Sequence, residues 1–427
     1  MKRKAEDRIG RTAACACMVA VALATAWPAD ASDHAEDRRK ALVDDAAVTV
    51  HFRTYYFDRD KPDGSRSSAW AGGGWLGYES GWIRGFLQLG AVGYTSQPLW
   101  APDDKDGTLL LKPGQDGYTV LGQAYAAFKV QDQVFTAYRQ YVVQPEVNAQ
   151  DNRMTPNTFE GYTLGGKVAG VEYYGGYLAK MKARNADTFR NMAASAGAVQ
   201  GDGEGMWLGG VKGKPAKDLD LRLSVYHVPN ILTSTYGDAA WATPLGADYK
   251  LRLGAHAMYQ TSNGDDDLTG ASFDTWSAGI KADLIRGPAT LSVAYTQTGE
   301  NDTYRSPYGS WAGYTSMIVK DFFRAGEKAW LIGGTYDFAG LNVPGLSLNV
   351  NAVFGRDAIN PASGAALSDN DEFDLTFDYR LSAERWPAWA RPFWIRARAV
   401  RVEEDLAGVT AVTKDYRIIV NYEWVFK

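Results

Sequence analysis

The stretch "EFDLTFDYRL" sets Phe373, Leu375, Phe377, Tyr379 and Leu381 on one face of an extended strand. Glu372, Asp374, Thr376, Asp378 and Arg380 take the other. In "FWIRARAV", Phe393, Ile395 and Ala397 lie opposite Arg396 and Arg398. "DYRIIVNYEWVF" alternates Tyr416, Ile418, Val420, Tyr422, Trp424 and Phe426 with Asp415, Arg417, Asn421 and Glu423, and the same period recurs from Tyr249 and from Trp276. A period of two held over about 10 residues needs apolar surroundings on one side and water on the other. Guanidinium groups do not belong in an ordinary core. Two architectures remain: a soluble antiparallel sandwich with a wet outer face, or a barrel with lipid outside and a watery lumen inside.

The distribution of aromatic side chains favours the barrel. Tyr416, Trp424, Phe426, Trp276, Tyr249 and Tyr259 gather at segment ends, where interface girdles lie. The chain holds 45 Gly, 14 Trp, 24 Tyr and 16 Phe, yet beyond its start no apolar run approaches a membrane helix. The start reads as an export leader. Lys2, Arg3, Lys4, Arg8 and Arg11 precede the apolar "TAACACMVAVALATAW", and the small-residue signal "ADA" places cleavage after Ala31. Residues 32–47 then form a short periplasmic lead-in, and 48–427 a single transmembrane domain. Cys15 and Cys17 leave with the leader, which removes disulfides and thiolate metal sites. The leader's five basic and three acidic residues take the formal charge from −5 to −7 as they go, and an acidic chain gives no argument for nucleic acid.

The alternation predicts an all-β, antiparallel up-and-down barrel of about 18 strands. They fall near 48–57, 69–78, 82–94, 118–130, 133–142, 158–168, 171–184, 206–212, 219–229, 233–243, 249–260, 274–285, 288–298, 328–338, 346–356, 371–381, 391–402 and 415–426. The segments 206–212 and 233–243 carry the weakest pattern, and without them the count is 16. Tight turns such as "ESG" and "QD" follow even strands, and long loops such as 143–157, 185–205 and 299–327 follow odd ones.

The run "AYRQYVVQPEVNAQDNRMTPNTFEGYTL" resembles the OprD family of outer-membrane porins, through Asn152, Arg153, Pro156, Thr158, Phe159 and Gly161. "FRTYYFDRD" (52–60), "GEKAWLIGGTYDFAGLNVPGLSL" (326–348) and "RIIVNYEWVF" extend the resemblance over nearly the whole chain after the leader. It implies a monomeric 18-stranded channel for small solutes, often carboxylates or amino acids; a trimer stays open. It also implies that the loop after the fifth strand and a later loop fold inward, beside a ladder of basic side chains.

A pore must offset the cost of stripping water from a solute without holding it. Arginine on a low-dielectric wall does this for carboxylates. Strand phase and loop position select Arg139, Arg153, Lys180, Lys182, Lys250, Arg252, Arg380, Arg396, Arg398 and Arg417 as basic lining, with Arg53 and Arg84 on polar phases too. Glu372, Asp374, Asp378 and Glu423 form the acidic counter-lining. Such charges equally form wall ion pairs that need no solute, and Arg153 equally braces the inward loop. Tyr304, Tyr308, Trp311 and Tyr314 in the long loop either line the mouth or touch lipopolysaccharide.

The rival functions are a non-selective diffusion pore and, in a different class, a barrel-embedded hydrolase. With four histidines and no nucleophile elbow, the sequence carries no catalytic signature, and the expectation is a non-enzyme without cofactor or metal. "SNGDDD" and "APDDKDG" read as solvated acidic turns rather than calcium loops. The expected partners are anionic or zwitterionic small solutes, outer-membrane lipid and lipopolysaccharide, and the barrel assembly machinery. Phe426 would supply the terminal aromatic that this machinery reads, although Lys427 follows it.

Overall fold

The computed structural model describes residues 36–198, 203–381, 385–406 and 408–427. The leader expected over 1–31 lies outside the described residues. Eighteen strands build the wall, beginning with β1 Ala47–Asp60, β2 Arg66–Glu79, β3 Leu87–Trp100, β4 Tyr118–Val130, β5 Gln133–Gln140 and β6 Thr158–Val168. Next come β7 Val171–Lys182, β8 Met206–Ala216, β9 Leu219–Val228, β10 Leu232–Leu245, β11 Tyr249–Thr261 and β12 Asp274–Arg286. The wall ends with β13 Ala289–Thr298, β14 Lys328–Asp337, β15 Leu346–Arg356, β16 Asp369–Arg380, β17 Phe393–Leu406 and β18 Val409–Phe426. Each strand pairs antiparallel with its chain neighbours. β1 also pairs with β18 from Val48↔Phe426 to Asp60↔Lys414, which closes the sheet and leaves no open edge.

The two weakly patterned segments are strands β8 and β10, so the count is 18 and not 16. The alternation sorts the faces as expected. Phe52, Trp207, Trp276, Ile280, Trp330 and Ile418 are exposed on the outer wall, while Arg53, Tyr55, Met258, Thr275 and Arg417 are buried inside.

Boundaries moved where turns and extensions override the pattern. The third strand starts at Leu87 and not at 82, because Arg84 (φ 53°) and Gly85 (φ 70°) turn the chain there. Arg84 therefore belongs to a short turn and not to the lumen. β17 runs to Leu406 and pairs there with Val409, the first residue of β18, so strand takes the place of the outer loop that the odd-strand rule predicts there. Both described chain ends lie at the end of the barrel with the short turns. There Lys40–Asp44 makes one helical turn against the β2–β3 connection, with the Gly81 N–H donating to the Ala41 carbonyl at 2.7 Å.

Candidate functional site: the constricted lumen

Two loops fold into the barrel because their apolar residues have nowhere else to be buried. In the loop 141–157, Val142 and Val147 pack with inward-facing Phe159 and Leu178, and Met154 packs with Tyr55 and Phe57. The loop 299–327 sets Tyr308 edge-on to Tyr226 at 5.6 Å, and its hydroxyl donates to the Met192 carbonyl at 3.0 Å. The loops also meet: the Asn148 N–H donates to the Tyr308 carbonyl at 3.2 Å, and the Ser310 N–H to Asn148 Oδ1 at 3.0 Å. Tyr304, Tyr308 and Trp311 are buried inside, so these three do not touch lipid outside the cell.

The neck is built on Phe57. Its ring carries the guanidinium groups of Arg417 at 4.8 Å, Arg59 at 5.2 Å and Arg153 at 5.4 Å. Asp415 accepts two bonds from Arg417, at 2.6 and 3.0 Å, and one from Arg59 at 2.8 Å. Arg53 donates to Asp151 and to the carbonyl of Arg153, both at 2.6 Å. Cations outnumber carboxylates here. Burial and the neighbouring Arg417 push the Arg153 guanidinium down, so the enclosure disfavours further positive charge.

Five of the sequence candidates face this lumen with their charge available or partly so. Arg398, half-buried on β17, lies across from Thr376 and Arg417. Its Nε is enclosed without an acceptor, and among the described residues no carboxylate pairs with it. Arg380 is exposed over the Trp394 ring at 4.3 Å. Arg396 lies on the same ring at 4.6 Å but donates twice to Asp378, at 2.6 and 2.9 Å, so its charge is already matched. Lys250 and Arg252 are exposed on the inner face of β11 beside its short turn, with no ion pair among the described residues.

The other candidates are corrected. Arg139 and Lys180 are not lumen residues. Arg139, Glu160 and Lys180 are cross-strand partners on the face that also carries Phe135, Tyr162 and Leu164, the outer one. Glu160 takes Arg139 at 3.2 Å and Lys180 at 3.3 Å, and Arg139 stacks on Phe189 at 4.2 Å. The cause is a bulge: the β6–β7 register slips between Glu160 and Gly161, leaving Ala179 unpaired, so Lys180 falls on the face opposite to Leu178. Lys182 is fully buried, donating to Thr155 Oγ1 at 3.2 Å and the Ala183 carbonyl at 3.0 Å. Arg153 donates to the Thr108 carbonyl at 2.9 Å, and Arg417 to Asp415 and the Ile318 carbonyl. All three brace loops instead of facing solute.

The acidic counter-lining changes role as well. Glu372 and Asp374 are buried under the loop 299–327 and accept its backbone: Val319 N–H at 2.8 Å and Lys320 N–H at 2.7 Å on Glu372, Ile318 N–H at 3.3 Å on Asp374. Asp378 neutralises Arg396 and accepts the Trp394 indole N–H at 2.8 Å. Glu423 is half-exposed and holds His51 at 2.9 Å. Sequence reasoning missed Trp394 as the platform for two arginines, although its phase beside Arg396 carried the signal. It also missed Glu146, whose surroundings in "QPEVN" have no periodicity to read.

The model of the family described as outer membrane porin, OprD family, matches residues 40–426. Porin D of Pseudomonas aeruginosa is 24% identical over 430 residues, covering 92% of this chain and 93% of that protein. Porin-like protein GalP of Pseudomonas putida is 21% identical over 345 residues, covering 77% and 83%. Among solved structures, Pseudomonas aeruginosa OccK9 (OpdG) superposes with a TM-score of 0.80 at 22% identity, over 90% of this chain and 100% of that one. OpdK of the same organism, solved with vanillate, gives 0.79 at 21% identity over the same shares. At such identity these structures establish the fold.

Proposed function

We propose that this chain, which belongs to the OprD family of outer membrane porins, passes small carboxylate-bearing solutes through its neck on a short series of cation contacts. Arg398 is the central contact. Arg380 continues the path toward the short-turn mouth, and Lys250 and Arg252 face it from another part of the wall. The observation that carries the reading is the half-buried guanidinium of Arg398, whose Nε has no acceptor. An enclosed guanidinium N–H without an acceptor is costly, and a carboxylate supplies two charge-assisted hydrogen bonds at once. Arg396, already matched by Asp378, keeps the series shallow, so that no single site traps the solute. The related OpdK barrel, solved with vanillate, sets a precedent for carboxylate ligands on this fold. On this reading residues 1–31 are the cleaved leader, 48–427 the one barrel domain, and the working unit a monomer.

Planar-bilayer recordings test it. Discrete conductance steps are expected, with benzoate interrupting the current at millimolar concentration. Steps that benzoate and other carboxylates leave untouched would reject the carboxylate assignment and favour a non-selective diffusion pore.

A further inference from the structure

Among the described residues, no cation is paired with the Glu146 carboxyl group. This residue lies in the inward loop 141–157, 4% exposed. Ser234 Oγ on β10 is 3.1 Å from each of its carboxylate oxygens, and the Tyr304 hydroxyl, from the other inward loop, donates to Oε1. Ser234 and Tyr304 are themselves 2.8 Å apart. One carboxyl group thus joins two loops and the wall. The groups that face it are Tyr304 from the loop 299–327, Ser234 from β10, Tyr226 from β9 and Tyr174 from β7, all neutral at ordinary pH. The nearby Arg305 is taken by Asp302 at 3.0 and 3.2 Å. Beyond this point the two loops also zip together through Asn148 and Ser310.

We propose that protonated Glu146 is the positioning residue of the neck, a latch that holds both inward loops against β10, and that its ionisation releases them and widens the passage. The inference rests on the porin reading above. An enclosed carboxylate with two hydroxyl donors and no cation is poorly compensated, so the charged form favours any arrangement that admits water. Burial pushes this carboxyl up to about 7, with the Tyr304 and Ser234 hydroxyls pulling the other way. Because its value in the folded loop lies above that of a free glutamate, the latch is fully engaged below the free value and is lost as pH rises through about 7.

The test is single-channel conductance of the full-length chain, folded in detergent and inserted in planar bilayers, from pH 5.5 to 8.5. Wild type should rise from a low to a high level with a midpoint near neutrality. Glu146→Gln keeps a neutral acceptor for Tyr304 and should stay at the low level throughout. Tyr304→Phe removes the hydroxyl that ties the loop 299–327 to Glu146, so its low level should be lost even at pH 5.5. A flat wild-type profile, or the same midpoint in Glu146→Gln, overturns the latch. A low level retained by Tyr304→Phe at pH 5.5 also counts against it. Absence of channels at every pH would instead reject the porin reading, and heat-modifiable gel mobility confirms that each variant is a closed barrel.

Discussion

Two short stretches carry the same alternation of basic and apolar residues, "YLAKMKA" ending β7 and "WIRARAV" opening β17, yet their charges end in opposite surroundings. On β17 the register with β16 and β18 is unbroken, so Arg396 and Arg398 stay together on the lumen face. On β7 one unpaired residue, Ala179, puts Lys180 outside against Glu160, and Lys182 is buried among loop atoms where the strand ends. Alternation within a strand therefore decides a face only while the neighbouring strand keeps step. The next strand also decides the charge left over. Asp378 lies directly across from Arg396, whereas Arg398 meets Thr376 and Arg417.

The contrast breaks most readily at Arg398. Arg398→Ala should weaken benzoate block by about ten- to a hundredfold, the worth of a charge-assisted hydrogen bond or two. Lys180→Ala should leave block within about twofold, and equal losses in the two variants would erase the distinction. Single-cysteine labelling sharpens it. A bulky water-soluble thiol reagent should cut the current of Arg398→Cys and spare that of Lys180→Cys, though both are modified. A smaller effect is expected from Asp378→Asn, which frees Arg396. Block by benzoate should tighten about two- to fivefold, as the loss of a partly exposed ion pair allows, and weakened block would show that Asp378 mainly orients its partner. The smallest is on stability: Lys180→Ala should change the unfolding free energy by under about 1 kcal/mol in urea titration.

Fold class and face were legible in the sequence because both depend on one strand at a time. Phe373 through Leu381 or Tyr416 through Phe426 announce their lipid side without knowledge of any neighbour. Position along the strand was less secure where a turn resembles a strand, as in "GWIRGF", where Arg84 and Gly85 adopt positive φ. The site was legible only in part. Phase put Arg398 and Arg380 in the lumen, but whether a cation is free depends on a partner fixed by register. It also depends on loops that arrive from far along the chain, as Ile318 does at Arg417, 99 residues away. Glu372 and Asp374 have an unremarkable lumen phase, and only the loop backbone resting on them makes them structural.

The seam between β1 and β18 joins residues separated by nearly the whole chain, with Val48 beside Phe426. Its formation must wait for the last strand to be made and delivered. Until then β1 presents a bare edge, and every unfinished or truncated chain carries two sticky borders ready to pair with a stranger. A nonsense codon anywhere before β18 would therefore yield an open sheet prone to aggregate and not a smaller pore. The time between the first strand and the last is the interval in which this chain is most open to pairing with a stranger.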